Sequence, residues 1–370
     1  MTNHPKILVL GAGMIGRVLA EELALSGAEV LVGDREKRTI PGCKFTKIDV
    51  TDEVSLVKTM KDGFDVISSA VPGHLGFGVM EAATRAGVNM VDVSFGDKNP
   101  LTLNDKAKSA GIVIVPDCGV APGVSNFLVG LGVSKVKEAR EAHIKVGGLP
   151  EKPTPPLNYR LVFSAEALVD EYTRKVRIVK KGKMVEVDAL TGLESFEFPG
   201  VGKLECFYTD GLRTLADTMK LKDMDEKTIR YPGHVEKVKT MVDLGLFATE
   251  PEILGVKPRE FMEEFISSTM RLRKGERDIT ILEVGAKGAD GSITFRMLDR
   301  FDDKKEISSM SRTTGYPIAI LSLMVATKKI SNKGVIPLEV LGQDERISKM
   351  ILDELKARNI IIREQTNHST

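Results

Sequence analysis

A chain of 370 residues, 42% apolar and 28% charged, has the composition of a folded globular protein and is long enough for two domains. Its formal net charge of +1, with acids and bases interspersed, leaves no electrostatic footprint for nucleic acid or a membrane surface. Cys43, Cys118 and Cys206 lack C-x-x-C spacing and the five histidines form no ligand pair, so no metal site is expected. Scattered thiols, a first strand that begins at Lys6 and no apolar run of bilayer length together point to the cytoplasm.

The chain opens with an apolar run, Ile7–Leu10, followed by Gly11, Gly13 and Gly16 in the spacing G-x-G-x-x-G and then by apolar residues at helical spacing over Met14–Leu25. Strand, glycine turn and helix in that order make a dinucleotide fingerprint. Gly11 allows the tight turn, Gly13 lets the backbone approach a pyrophosphate, and Gly16 lets the helix pack on the strand. The N–H groups at the start of the helix, around Met14 and Ile15, face the phosphates. A second strand, Glu29–Gly33, ends at Asp34, where an acid accepts from the ribose hydroxyls and repels a 2′-phosphate. NAD is the expected cofactor, with NADP possible through the neighbouring Arg35.

Lys44–Val50 reads as a third strand whose end, Asp49-Val50, lies beside the adenine. Asp65–Val71 reads as a fourth, with Ser69, Ala70, Val71 and Pro72 leaving room for the nicotinamide half. The strands Val88–Val93 and Ile112–Val115 complete a doubly wound parallel sheet of the Rossmann type. Ligands bind at the carboxyl ends of such strands, which gather Pro72, Ser94, Phe95, Asp117 and Cys118. Asp92 and Asp117 are plausible partners for a substrate nitrogen, or caps of the turns that follow them. Cys118 reads as a small filler of a tight turn.

From Glu138 to about Phe301 the period becomes mostly two, with expected strands at Ala142–Val146, Leu157–Phe163, Asp278–Gly285 and Ser292–Leu298 and a hairpin over Ile178–Val187. Ser309–Ile330 then returns to strong helical spacing. The expected class is therefore α/β, a dinucleotide-binding domain (1–120) with an inserted α+β domain on a largely antiparallel sheet (121–305) and C-terminal helices that return to the first domain (306–370). The inserted sheet is a candidate dimer face, and a homodimer is the default.

Several segments resemble the saccharopine dehydrogenase-like family: Val146-Gly147-Gly148-Leu149-Pro150, Pro155-Pro156-Leu157-Asn158-Tyr159 and Glu171-Tyr172-Thr173. Within it, Asp117–Gly123, Lys227–His234 and Arg312-Thr313-Thr314-Gly315-Tyr316 are most similar to lysine 6-dehydrogenases, whereas Asp92–Phe95 is more like the saccharopine enzymes. Ala121 stands where saccharopine reductases place an aspartate. The resemblance implies NAD-dependent oxidative deamination of the ε-amino group of L-lysine to a semialdehyde that cyclises. It leaves as alternatives the reduction of an imine between an amine and an aldehyde or keto acid, and nucleotide binding without turnover. It also implies that Arg213 and Arg230 face the substrate carboxylate, that Gly147 and Gly148 line its site and that Arg312 braces the domain junction. Tyr172 either lines the site or packs, and His234 either shuttles a proton or is structural.

Overall fold

The computed structural model describes residues 4–368. The chain divides into two compact units, 1–134 with 311–360 and 135–310 with 361–370. Among the described residues, unit 1 carries a seven-stranded sheet. Its strands are β1 (Lys6–Leu10), β2 (Glu29–Asp34), β3 (Lys44–Lys47), β4 (Val66–Ser69), β5 (Asn89–Asp92) and β6 (Val113–Val115), with a strand from late in the chain, Gly334–Val335, at the far edge. They run in the order Gly334–Val335, β6, β5, β4, β1, β2, β3, every pair parallel. Ile7, Leu8, Val9 and Leu10 are fully buried, as a central parallel strand covered on both faces requires.

Unit 1 ends later in the chain than the pattern suggests. The helix Val124–Lys135 is buried on all sides over its first nine residues, and a Cβ on Gly130 or Gly342 would collide with the backbone of Glu339 or Phe127. That close approach ties it to Leu338–Gly342, so the first boundary falls after 134 rather than 120. The returning helix Ser309–Ala326 meets β4 through a bond of 2.7 Å between the hydroxyls of Ser68 and Ser322.

Unit 2 is built on a mixed sheet, which begins with β7 (Glu141–Pro150), β8 (Val176–Lys180) and β9 (Lys183–Val187), the last two forming the expected hairpin. It continues with β10 (Glu194–Phe198), β11 (Gly202–Tyr208), β12 (Asp223–Arg230), β13 (Asp278–Lys287) and β14 (Gly291–Arg300). Its pairs are antiparallel except β7 with β12. Two expectations fail here. Leu157–Phe163 has the alternation of a strand but forms only an isolated bridge, Leu161 to Arg271, and Tyr159 is drawn into the apolar core instead. The chain end does not stay with the first domain: Ile362–His368 pairs antiparallel with β14, so residues 361–370 belong to unit 2. That strand is polar and almost wholly exposed, and backbone pairing at a sheet edge is what holds it.

Glu205 on β11 shows how unit 2 uses a buried acid. Its Oε1 accepts from the Val235 N–H at 2.8 Å and its Oε2 from Gly233 N–H at 3.1 Å, which caps the helix His234–Asp243. Glu205→Ala strips both acceptors and is expected to cost about 1–2 kcal/mol, as for other helix caps. Urea unfolding followed by far-UV circular dichroism reads this directly; an unchanged midpoint means the cap contributes nothing.

Candidate functional site

The turn after β1 is pinned by its neighbours. Gly11, at φ 93°, donates to Gly33 O at 2.9 Å, and a Cβ there would press on the carbonyl of Ala70. Beyond it, Gly13 faces open space. Gly13 at the N-cap of the helix Met14–Leu25 has no side chain to cap it, and no acid lies in the helix's first turn. The N–H groups at Met14, Ile15 and Gly16 therefore keep the positive end of the helix dipole for an external anion. This cradle fits the diphosphate of a dinucleotide.

Asp34 closes the ribose side. Its Oδ2 accepts from Ala12 N–H at 2.6 Å and its Oδ1 from Glu36 N–H at 3.0 Å, so both oxygens are fixed and each retains a further lone pair. Arg35 is exposed. Asp49 turns to its own loop, accepting from the amide and hydroxyl of Thr51 at 2.9 and 2.7 Å, bonds that lower its pKa. Val50 is half-buried beside it; Ser69 and Val71 are buried, Ala70 is half-buried and Pro72 caps the next helix from an exposed position.

The carboxyl ends of β5 and β6 bring two acids together. Asp92, fully buried, takes the N–H of Ser94 at 3.0 Å on Oδ2, which also receives the Ser94 hydroxyl in a short bond. Its main-chain oxygen accepts from Cys118 N–H at 2.8 Å. Its Oδ1 has no hydrogen-bond partner among the described residues. Burial raises the Asp92 carboxyl to about 7, with Ser94 and the neighbouring Ser69 hydroxyl opposing the shift and the nearby Asp117 charge adding to it. Asp117 is itself buried, with φ at 54°. Phe95 is half-buried, and its carbonyl lies against Gly73. Burial pushes the Cys118 thiol far up, and its sulfur contacts the carbonyls of Val115 and Pro116, so it is a filler and no nucleophile.

Arg312, in unit 1, donates to Arg358 O at 2.9 Å and stacks near Tyr316. In unit 2, Tyr172 packs in the core near Phe207 and Phe247, and its hydroxyl meets His234 Nε2 at 2.9 Å. Since the Leu157 carbonyl 2.8 Å from Nδ1 can only accept, Nδ1 carries the proton and Tyr172 donates to Nε2. Burial, with the Arg230 charge, lowers His234 to about 3, which makes it a neutral structural group rather than a shuttle. Arg230 is 1% exposed, paired with Glu171 and stacked 4.6 Å above Tyr159. Gly147 and Gly148 give their missing side-chain volume to Ile229 and to Met310 and Val162. Arg213 sits in the loop after β11, buried, at φ 50°. Sequence reasoning missed Glu171 and Glu226. Glu226 occupies a buried phase of β12, a signal that exists only once that strand is recognised. Among the described residues no cluster of His, Cys, Asp or Glu could hold a metal ion, and no helix is long and apolar enough to cross a membrane.

Residues 7–115 match the profile described as the saccharopine dehydrogenase NADP binding domain, and residues 119–361 match the saccharopine dehydrogenase C-terminal domain. The chain belongs to the saccharopine dehydrogenase family of oxidoreductases. It is 23% identical to saccharopine dehydrogenase [NADP(+), L-glutamate-forming] of Saccharomyces cerevisiae over 97% of this chain and 99% of that enzyme. The match to the Schizosaccharomyces pombe enzyme of the same name, 25% identical, covers 65% of this chain and 58% of that one. Carboxyaminopropylagmatine dehydrogenase of Synechocystis is 23% identical over 93% of this chain and 95% of its own length. In fold, the apo saccharopine dehydrogenase (L-Glu forming) of S. cerevisiae superposes with a TM-score of 0.78 at 20% identity, covering 98% of this chain and all of that one. The first of the family's two domains is thus a nicotinamide-nucleotide-binding unit.

The raised Asp92 carboxyl makes a stability prediction. The folded chain keeps this proton up to about pH 7, whereas an ordinary aspartate loses it near 3.8. The group therefore favours folding fully below the lower value, and that contribution is lost as pH rises through the upper one. Each pKa unit corresponds to about 1.4 kcal/mol. Asp92→Asn keeps the shape without the ionisation and is expected to raise the melting temperature at about pH 8 and flatten its fall between pH 4 and 7. A variant with the wild-type pH slope would mean that Asp92 ionises normally.

Proposed function

We propose that this member of the saccharopine dehydrogenase family oxidises the amine-bearing carbon of a free amino acid with NAD, the ε-amino group of L-lysine being the leading substrate. The reaction converts the ammonium form of the amine, NAD and water into an aldehyde, an ammonium ion, NADH and a proton. NAD, when bound, supplies the hydride acceptor. Gly11, Gly13, Met14, Ile15 and Gly16 would hold its diphosphate and Asp34 its adenosine ribose.

The observation that carries this reading is Asp92. An ammonium must lose a proton before its carbon can release a hydride, and the acceptor works best with a pKa near the working pH. Asp92 has that value, about 7, at the rim where the fold binds ligands. Ser94 fixes one carboxylate oxygen and leaves Oδ1 to take the proton. Asp117 keeps its neighbour basic. Arg213 is assigned the substrate's carboxylate on the family resemblance of its segment, a guanidinium being the group that fits a carboxylate.

Asp34 supports NAD over NADP. Its carboxylate, fixed by two amides, suits a ribose diol and repels a 2′-phosphate. The enzymes named for NADP among its relatives make this a property to test on this chain. Wild type is expected to bind NAD at least about tenfold more tightly than NADP, and Asp34→Ala to erase the difference. Equal or tighter NADP binding by wild type, measured by calorimetric titration with each oxidised nucleotide, defeats this choice.

Purified protein supplied with NAD and L-lysine alone is expected to form NADH and ammonia in equal amounts. Its kcat/KM should rise with pH through about 7, as Asp92 loses its proton, and should fall at least about a hundredfold in Asp92→Asn. The relatives' printed activities favour a second reading, in which an imine between an amine and an aldehyde or keto acid is reduced. In that case NAD(P)H is consumed only when both partners are present. Ala121, standing where saccharopine reductases place an aspartate, favours the single-substrate reaction. Nucleotide binding without either turnover rejects both.

A further inference from the structure

We propose that Glu226 is a positioning residue for Arg213: its uncharged carboxyl is the seat on which the loop 209–214 rests, and ionisation removes the seat. The functional half of this inference rests on the reading above that Arg213 receives the substrate carboxylate.

The loop leaves β11 and is held at three consecutive residues. Thr209 donates its N–H to the main-chain oxygen of Glu226 at 3.1 Å and shares a bond of 3.0 Å with the Thr228 hydroxyl. Asp210 grips Arg177 through two parallel bonds, 3.0 Å from Nε and 2.9 Å from Nη2. Gly211 lies directly on the Glu226 side chain, so closely that a Cβ would overlap both carboxyl oxygens and the carbon between them. Two residues further on, Arg213 holds a left-handed backbone, which a residue with a side chain keeps only when its surroundings impose it.

The charges around Glu226 are all negative or already engaged. Asp210 faces it from the loop, Asp225 from its own strand and Glu171 from the helix Ala165–Thr173. Arg177 is committed to Asp210, Arg230 to Glu171, His143 to Asp225 and Lys227 to Glu194. Glu226 Oε2 has no hydrogen-bond partner among the described residues. A neutral carboxyl suits this place, since it can lie against Gly211 in van der Waals contact. An anion does not, because nothing there solvates or pairs with it. Burial and the three acids raise its pKa to about 8, within reach of mild alkali.

Two readouts test this, one without turnover. Hydrogen exchange of the ligand-free protein, corrected for intrinsic rates, is expected to show residues 209–214 protected at about pH 7 and unprotected at about pH 9. Glu226→Gln, a permanently neutral mimic, is expected to keep the protection at both. In steady-state assays the wild-type KM for L-lysine should rise about tenfold per pH unit above 8 relative to Glu226→Gln, with kcat equal in the two. Gly211→Ala, which pushes the loop off its seat, should deprotect 209–214 and raise KM already at neutral pH. The inference is overturned if wild-type protection does not change with pH, if Glu226→Gln loses it as wild type does, or if Gly211→Ala leaves protection intact. If exchange behaves as expected but lysine is not oxidised, the seat stands and the assignment of the substrate falls.

Discussion

The carboxyl end of β1 is the constraint on which the rest of unit 1 hangs. Gly11 donates to the end of β2 through Gly33 O, and Ala70, just past β4, donates to Leu10 O. The strand is thus tied on both sides at the point where the order of the sheet reverses. Each such bond is worth only about 1 kcal/mol net, but leaving a buried one unmade costs more, so the three strand ends move as one body. The same ladder continues outward: Ser69 on β4 is in register with Asp92 on β5, and Cys118 donates to the Asp92 main chain. The turn after β1, the end of β2 and the end of β5 are thus joined by one continuous set of backbone bonds.

The parts of the molecule legible in the sequence are those where local pattern and tertiary setting agree. Ile7–Leu10, the three glycines and Asp34 are diagnostic because turn geometry, helix start and strand burial are all short-range demands. Leu157–Phe163 and β12 show the converse. The first alternates like a strand but forms only one isolated bridge, and its apolar residues serve the core from irregular backbone. The second reads Asp-Met-Asp-Glu-Lys-Thr-Ile-Arg, with Glu226, Thr228 and Arg230 on buried phases, so counting charged residues as surface hides it. Its cation is tolerable inside because Glu171 pairs with it, and its acid because burial and the acids around it keep it neutral. Arg230 is taken up by Glu171, a pairing between a strand and a helix that the sequence around either residue does not announce.

Two buried carboxyls, Asp92 and Glu226, differ from Glu205 and Asp278 in what meets them. Glu205 receives two backbone N–H groups, and so does Asp278, from Ser309 and Met310 at 2.7 and 2.9 Å. Those acids serve as caps, and at Asp278 the two bonds oppose the upward push of burial without cancelling it. Asp92 has one oxygen with no hydrogen-bond partner among the described residues, and so has Glu226. An acid buried with too few donors lowers stability, and such arrangements persist where a group must change protonation or remain neutral. This contrast, rather than the mere presence of an acid, sets the two positions apart from Glu205 and Asp278.

Identity of 20–25% with relatives that share this architecture fixes the scaffold but leaves the substrate to a few side chains. Those side chains sit where the scaffold ends. Asp34 closes a strand, Ala121 lies in the turn after Cys118, and Arg213 rides on a loop held by Thr209, Asp210 and Gly211. Changes at such positions alter what is bound without disturbing the ladders beneath. A change of amine substrate within this family therefore requires no new fold and little new packing, only a different set of charges at strand ends that the sheet already holds in place.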